Sequence, residues 1–429
     1  MKKSLFAIAA VTAFAGAAQA QSSVTVYGIL DVGYIGESAR ISNSAGTAAS
    51  GYNNGQLKST RNQFGSSAEQ SSRLGFKGVE DLGGGTSAFF TIELALAPND
   101  QSLNGNKQIG AASNGVNPES GGLTNRQTFV GLKKNGLGQT AVGTQYTTVF
   151  NSAVATDVGN LNNVAGNVIY SSVAGGNAPD QGNTPAFTAR TSNTLSVKSD
   201  KFAGFTGSAF ATLNNKNATQ SSATVGGNTN ASGWGIGADY TLNKFYITAA
   251  YQSLKQLTTN GNTTPFTTGA TGNTPAAWSQ AQGNGATSIG GGAYNTTDNQ
   301  FYAGATYDFG ILKAYAQYVS RKATATASSN YYVKRAAEQI GVRSFITPTI
   351  EGWASAGLGR YTAMGAGTPT QNFNGWQLGS NYWLSKRTNL YAIYGQTLTS
   401  TGSTTSAAGV TTTVSGAVSN YALGVRHTF

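Results

Sequence analysis

The chain has 429 residues, with 27 lysines and arginines against 16 acidic residues, and it contains no cysteine. Charged residues make up only 10% of it, well under the roughly 25% of an ordinary soluble domain, while 57 glycines accompany 20 tyrosines and 19 phenylalanines. This composition excludes a disulfide framework and thiol chemistry, and it is typical of neither a soluble surface nor a disordered tail.

Residues 1–20 are predicted to be a secretory signal peptide. Lys2 and Lys3 give a basic start, an uncharged apolar run follows from Leu5 to Ala18, and small residues precede the expected cleavage point. A transmembrane anchor is disfavoured because the run is shorter than the roughly 20 residues that a spanning helix needs. We expect a single mature domain over residues 21–429, whose formal charge is +9, that is, +11 less the two lysines.

Short polar turns alternate with long polar stretches along the rest of the chain. In the first of three similar hairpins, Gly-Ala-Asp-Tyr (237–240) is joined to Ile-Thr-Ala-Ala-Tyr (247–251), and the other two turn at 308–310 and 385–387. A soluble β-sandwich would also contain such hairpins. Long Gly/Asn/Thr/Ser-rich connections at one end and tight turns at the other are instead typical of an outer-membrane barrel.

The predicted fold is all-β: a transmembrane, antiparallel, up-and-down barrel of about 16 strands with long extracellular loops and short periplasmic turns. An even number of strands lets such a barrel close with both chain ends on the periplasmic side. The predicted strands are 24–36, 70–80, 85–97, 123–134, 138–147, 189–199, 204–214, 232–242, 244–256, 299–308, 311–322, 336–347, 350–361, 373–385, 388–398 and 419–429.

Alternation of side chains distinguishes this barrel from a packed sandwich. In the strand at 85–97, Phe90, Ile92 and Leu94 share one face, while Thr91 and Glu93 share the other. One face suits lipid and the other suits water, so the barrel is expected to be water-filled.

The residues offer little for catalysis. His427 is the only histidine, and its position in the last strand places it on the lipid side beside Phe429. Glu80 and Asp81 are the only adjacent acidic pair and lie in a turn, where they shape the bend. The sequence therefore predicts no enzyme, no catalytic residue, no metal and no cofactor. Dispersed cations without a basic run also argue against nucleic-acid binding.

Positive charges on the strands are more informative. Arg73 and Lys77 lie on the face opposite Leu74 and Phe76. Because a lysine or arginine facing lipid costs about 2–4 kcal/mol at mid-bilayer, both cations are expected to face the lumen. The same cost places three more cations inside or at the interface, namely Arg126, Arg190 and Arg426.

Four segments together give a family resemblance from the mature N-terminus to the last residue. They are Ser23-Val24-Thr25-Val26-Tyr27-Gly28 with Asp31, Ser72-Arg73-Leu74-Gly75-Phe76-Lys77-Gly78 followed by Glu80-Asp81-Leu82-Gly83-Gly84-Gly85, Asn125-Arg126-Gln127-Thr128-Phe129-Val130-Gly131-Leu132, and Gly424-Val425-Arg426-His427-Thr428-Phe429. The chain resembles the trimeric, 16-stranded general porins of Gram-negative outer membranes, particularly the betaproteobacterial branch.

The resemblance implies that the third long loop, after Gln145-Tyr146, folds into the barrel opposite a wall of arginines. The residues expected at this constriction are Arg73, Lys77, Arg126, Tyr146, Asp157 and Arg190, and Phe429 is expected to serve as the signal for barrel assembly. One departure is Gly143-Thr144-Gln145-Tyr146, where the family often has Gly-Arg-Gln-Tyr. Only Asp157 and Asp180 carry charge in the loop at 148–188, so a weaker transverse field is expected.

The predicted function is a multi-pass outer-membrane channel for passive diffusion, with a preference for anions. Its expected partners are outer-membrane lipid, two further copies of itself in a homotrimer, and small hydrophilic, mainly anionic solutes. Alternatives are a substrate-specific channel with an aromatic track that includes Tyr27, Phe89 and Tyr146, and an adhesin that uses loops 37–68 and 257–298. A membrane-embedded hydrolase is disfavoured by the position of His427.

Overall fold

A computed structural model describes residues 23–45, 47, 53–98, 124–171, 186–222, 226–258, 295–326, 332–364, 370–405 and 411–429. The predicted signal peptide lies outside these residues, as do Asp180 and most of the predicted loop at 257–298.

The part of the chain that the structure describes contains seventeen strands and one helix. The strands are β1 Ser23–Asn43, β2 Gln56–Ser66, β3 Arg73–Gly83, β4 Thr86–Ala95, β5 Thr124–Lys134, β6 Gly138–Tyr146, β7 Arg190–Ser199, β8 Phe205–Ala218, β9 Gly227–Leu242, β10 Phe245–Thr258, β11 Thr296–Asp308, β12 Lys313–Ala325, β13 Tyr332–Phe345, β14 Ile350–Met364, β15 Gln371–Trp383, β16 Thr388–Thr405 and β17 Thr411–Thr428. The helix is α1, Thr148–Thr156. Within the described ranges, no helix is both long and apolar enough to cross a membrane.

All of the strands join one closed antiparallel sheet. Each strand from β3 onward pairs with its successor, and β17 pairs with β1 along Ile29–Asn43. β2 pairs with β1 over Val32–Ser42, and β3 pairs with β1 over Ser23–Ile29. Because β2 and β3 occupy one position in the wall, the seventeen strands form a sixteen-position barrel. The predicted fold class is therefore confirmed.

The prediction of a long loop at 37–68 is wrong. β1 continues to Asn43, and β2 fills Gln56–Ser66. The residues of β2 are exposed or half-buried, except Gly65 next to its end, which is buried. The sequence pattern missed this strand because it presents no continuous apolar face, which is the feature that marks a strand in contact with lipid.

The two faces of the wall differ as the alternation predicts. Large apolar side chains are exposed on the outside, among them Val130 and Leu132 of β5 and Ile236 of β9. On the inside, Gln252 of β10 and Gln300 of β11 are fully buried and hydrogen-bond to each other at 2.7 Å. A wall that is apolar outside and polar inside is the reverse of a soluble protein and is suited to a membrane.

Two outward-facing residues of β9 at different depths in the membrane provide a test of which surface faces lipid. Ile236 and Leu242 both point outward on β9 and are 54% and 53% exposed, but Leu242 ends the strand at its short turn. Ile236→Arg should lower the free energy of unfolding by about 2–4 kcal/mol, and Leu242→Arg by about 0–1 kcal/mol, because the cost of a cation falls toward the interface. Urea unfolding in phospholipid vesicles, followed by tryptophan fluorescence, measures both. Equal losses for the two variants would contradict this assignment of the outer face.

Candidate functional site

The segment after β6 turns into the barrel and begins with α1. Thr147 caps this helix by accepting a hydrogen bond from the Phe150 backbone N–H at 3.2 Å. The helix packs against β9–β12 on the inner wall. Its Ser152 Oγ lies 2.7 Å from Thr248 Oγ1 of β10, so the helix is fixed by side-chain hydrogen bonds to the wall.

Beyond α1 the loop continues around the inside of the barrel. The Val168 N–H donates to Gln339 Oε1 of β13 at 3.0 Å, and the Gly166 N–H donates to Thr397 Oγ1 of β16 at 2.9 Å. Gln377 of β15 donates to the Val164 carbonyl at 2.7 Å. These bonds satisfy buried backbone groups of the loop, which would otherwise be costly to remove from water.

Glycines of the inner wall let the loop approach closely. A Cβ added at Gly357, Gly375 or Gly395 would overlap backbone or side-chain atoms of loop residues 165–168. Glycine is therefore required at these wall positions by close packing. The loop is part of the inner wall along β13–β16 and is not a detached flap.

Asp157 has its side chain turned into the loop. It is 3% exposed, and its carboxylate accepts hydrogen bonds from the Leu161 N–H and from Asn167 Nδ2, both at 2.8 Å. Burial raises the pKa of this carboxyl group above its ordinary value. Since its hydrogen bonds go to the loop and to Gln339 of β13, Asp157 shapes the turn after α1.

On the wall formed by β3–β7, the cationic residues gather around one carboxylate. Arg126 Nε lies 2.8 Å from Glu93 Oε1, and Arg73 Nη1 lies 3.9 Å from the same oxygen. Tyr27 donates to Glu93 Oε2 at 3.1 Å, and Tyr146 OH lies 3.3 Å from Oε1 and 2.9 Å from Arg126 Nη2. Glu93 is 4% exposed, so it is the buried centre of this network.

Two further cations rest on the tyrosines of the network. The Arg190 guanidinium lies 5.3 Å from the centre of the Tyr146 ring, and Lys77 Nζ lies 5.4 Å from that of Tyr27. We call Arg73, Lys77, Arg126 and Arg190, grouped around Glu93, the cationic cluster. Four cations against one carboxylate leave the cluster at +3.

A β-bulge directs Arg126 inward. By simple alternation Arg126 would share the outward face of Val130 and Leu132. The pairing of β4 with β5 shifts between Glu93 and Leu94, at Arg126, and the side chain is 3% exposed. A bulge of this kind reverses the direction of a side chain. The free-energy cost of a charge in lipid thus predicted the inward direction of Arg126 correctly. Alternation along β5 alone predicts the outward direction.

The structure therefore brings together five of the six residues predicted for the constriction. Asp157 is the one that it places elsewhere. Glu93 was missed, although its place on the water-facing side of β4, opposite lipid-facing Ile92 and Leu94, was a usable signal.

The last strand agrees with its predicted orientation. Arg426 points inward, where Nε donates to Asn389 Oδ1 at 3.0 Å and lies 3.6 Å from Glu69 Oε2. His427 is exposed on the outer face, with Nδ1 2.8 Å from Thr388 Oγ1. Phe429 exchanges two backbone hydrogen bonds of 3.1 Å with Gly28, so the final residue lies at the seam that closes the barrel.

The contact between α1 and the wall can be tested in a chain without native cysteine. Because the two hydroxyl oxygens already lie 2.7 Å apart, Ser152→Cys with Thr248→Cys should form a disulfide of about 2.05 Å nearly completely on mild oxidation. Val154→Cys with Thr248→Cys is the control, since Val154 lies on the exposed side of the helix. Thiol labelling and mass spectrometry give the yields. Equal yields from the two pairs would mean that α1 does not rest on β10.

Comparison with known proteins agrees with this geometry. The sequence pattern of the family described as Gram-negative porin matches residues 7–402. An outer membrane porin protein of Bordetella pertussis is 35% identical over 149 residues, which is 34% of each chain. Outer membrane porin protein 32 of Delftia acidovorans is 42% identical over 107 residues, 24% of this chain and 25% of the relative. The matched segments thus span about a third and a quarter of these two relatives.

Solved structures share the fold over nearly the whole chain. An anion-selective porin from Comamonas acidovorans superposes with a TM-score of 0.60 at 20% identity, covering 95% of this chain and 100% of that one. OmpT of Vibrio cholerae gives a TM-score of 0.55 at 13% identity, covering 95% and 98%. From the match over residues 7–402, the closed barrel and these shared folds, we conclude that the chain belongs to the Gram-negative porin family, as a multi-pass β-barrel of the bacterial outer membrane.

Proposed function

We propose that this protein is a water-filled channel for the passive diffusion of small hydrophilic solutes and ions, with a preference for anions. The observation that carries the proposal is the cationic cluster on β3–β7, in which four cations surround one buried carboxylate. Among loop residues 147–171 and 186–189, Asp157 is the one charged residue, and it is turned into the loop. The described loop residues therefore place no exposed carboxylate opposite the net positive charge of the cluster.

The strength of the anion preference follows from the electrostatic interaction between the cluster and a passing ion. Two unit charges 4 Å apart interact by about 1 kcal/mol in water and about 4 kcal/mol at an effective dielectric constant of 20. Salt screens these interactions over about 8 Å at physiological ionic strength. A cluster of +3 therefore biases the passage toward anions without excluding cations.

The relatives support two further parts of the proposal. The structural neighbour from Comamonas acidovorans is described as anion-selective, which agrees with the sign of the cluster. A trimer form of OmpT from Vibrio cholerae shares the fold, and we extend that assembly to this chain as a homotrimer. We also assign Phe429 a role in assembly, because its backbone closes the seam with Gly28. The proposal gives no residue a catalytic role.

A substrate-specific aromatic track has less support. The ring of Tyr146 stacks on Phe150 with centroids 4.3 Å apart, and Arg190 lies over it. The hydroxyl groups of Tyr27 and Tyr146 are both directed at Glu93. These tyrosines hold the cationic cluster in place and do not offer a bare surface to a sugar.

Single-channel recording tests the proposal directly. The refolded protein in a planar bilayer under a potassium chloride gradient should give large conductance steps. Its zero-current potential should have the sign of a chloride-preferring pore. A folded protein that conducts nothing would refute the channel, and a potassium-preferring potential would refute the anion preference alone.

Removing charge from the cluster should weaken the selectivity. Arg73→Gln with Arg190→Gln is expected to lower the chloride-to-potassium permeability ratio roughly two- to fivefold, since the two removed charges together contribute about 0.4–1 kcal/mol to that ratio once salt screens them. Lys386→Gln with Arg387→Gln, in the exposed turn before β16, removes the same charge away from the cluster. An equal fall in both double variants would contradict a role for the cluster.

Neutralising the central carboxylate should act in the opposite direction. Glu93→Gln raises the cluster from +3 to +4, and it is expected to increase the chloride-to-potassium permeability ratio roughly twofold. The control is Glu80→Gln, at an exposed position near the end of β3, where the structure places this residue instead of in the predicted turn. The zero-current potential gives the permeability ratio of both variants. A ratio that falls in Glu93→Gln would show that Glu93 acts mainly by positioning the arginines.

A further inference from the structure

Three apolar side chains lie on the inner wall on the periplasmic side of the cationic cluster. They are Val79 of β3, Phe89 of β4 and Phe129 of β5, which we call the apolar patch. The Phe89 ring lies over Gly131, and it meets the Phe129 ring edge-on with centroids 6.2 Å apart. Val79 is 49% exposed, so other side chains do not cover the patch completely.

The register of the sheet gives the patch its inward direction. Val79 is two residues from Lys77 on β3, and it pairs directly with Phe89 on β4. The Lys77 ammonium group lies over the Tyr27 ring, whose hydroxyl group donates to Glu93 inside the barrel. Residues two apart on a strand, and residues directly opposite in a pair, share one face of a sheet. Lys77, Val79 and Phe89 therefore all face the lumen.

Cations flank the centre of the apolar patch on two sides. In the register of β3–β5, Lys77 and Lys133 are both diagonal neighbours of Phe89 on the lumen face. Positions related in this way lie about 7–8 Å apart, within reach of a lysine side chain. Asp81 is a third diagonal neighbour of Phe89, and its Oδ1 accepts a hydrogen bond from the Gly83 N–H at 2.9 Å. Two cations against one carboxylate leave +1 around the patch, and the rest of the cationic cluster adds +2 next to it.

The exposed side of α1 lies across the lumen from the apolar patch. β3 and β11 are eight positions apart in the sixteen-position wall, so they are diametrically opposite. α1 packs against β9–β12, and its Ser152 contacts Thr248, three residues from the start of β10. Phe89 is likewise three residues from the start of β4, so helix and patch lie at a similar distance from the short turns. Val154, on the side of α1 away from the wall, is 48% exposed and gives the passage a second apolar surface.

We propose that this part of the lumen binds organic acids that carry an aromatic ring, with the carboxylate beside Lys77 and the ring against Phe89 and Phe129. Lys133 offers a second cation at the periplasmic edge of the same rings. A mainly apolar surface with a few polar groups that fix orientation is typical of small-molecule sites, and aromatic rings associate in offset or edge-to-face geometry. Chloride interacts with the cations alone, whereas an aromatic carboxylate uses both the cations and the rings.

This inference rests on the proposed function, because it names a class of anion that the channel holds during passage. It concerns phenylalanines that the Glu93 network does not use. Tyr27 and Tyr146 direct their hydroxyl groups at Glu93, whereas Phe89 and Phe129 have no hydroxyl group and contact each other. The apolar patch thus adds a preference among anions without changing the fixed charge that sets the preference for anions over cations.

Block of the chloride current by benzoate, in single-channel recordings of the refolded full chain at neutral pH, tests the site. Acetate has the charge without the ring, and benzamide has the ring without the charge. Benzoate should halve the potassium chloride conductance at a concentration roughly fivefold or more below that of either comparison probe, because it alone uses both the cations and the rings. Phe89→Ala with Phe129→Ala should raise the half-blocking concentration of benzoate roughly five- to tenfold and leave that of acetate unchanged, because the ring contacts are lost.

The matched control is Phe76→Ala with Phe90→Ala, which removes two rings from the outward face of the same two strands, β3 and β4. Its half-blocking concentration for benzoate should remain that of the unaltered chain. Equal block by benzoate and acetate, no change in the Phe89 and Phe129 double variant, or an equal rise in the control would overturn the proposal. Both double variants keep every charge, so their zero-current potential in potassium chloride should not change. Failure of the proposed function would appear there instead, as absent conductance or a potassium-preferring potential in the unaltered chain.

Discussion

Every backbone N–H and C=O group within the hydrocarbon of a membrane must find its hydrogen-bond partner inside the protein. The chain meets this constraint by closing its sheet, with β17 paired to β1 and the Phe429 backbone bonded to Gly28. Closure removes the two sheet edges that β1 and β17 would otherwise present, and it fixes one face of the wall strands toward lipid and the other toward the interior. The placement of apolar, polar and charged residues along the strands follows from that division.

Inside the barrel the same constraint governs the loop. Its backbone groups are removed from bulk water and are satisfied by inner-wall side chains such as Gln339, Gln377 and Thr397. Wall glycines permit the close approach that these bonds require. The loop therefore thickens the inner wall, and under the proposed function the cationic cluster on β3–β7 sets the sign of the charge that a passing ion meets. Glu93 holds that cluster together while reducing its net charge.

Much of this arrangement could be predicted from the sequence, because alternation and the cost of charge in lipid are local properties. They gave the barrel, its strand number and the inward direction of Arg73 and Arg126. β2 was not predicted, because it has no continuous apolar face. The grouping of the cations around Glu93 depends on contacts between residues far apart in the chain, and the turn of Asp157 into its loop depends on hydrogen bonds of the folded loop. Spacing along one strand records neither. The close packing at Gly395 also became apparent only when the loop was placed beside it.

The central claim is that the positive wall around Glu93 guides anions through the barrel. Anomalous X-ray diffraction from crystals of the protein soaked in bromide tests it most directly, since the bound anions themselves are located. The account predicts ordered bromide beside Arg73, Lys77 and Arg190 within the lumen. Bromide that is absent from this wall, or that is equally frequent along the loop around Asp157, would contradict it.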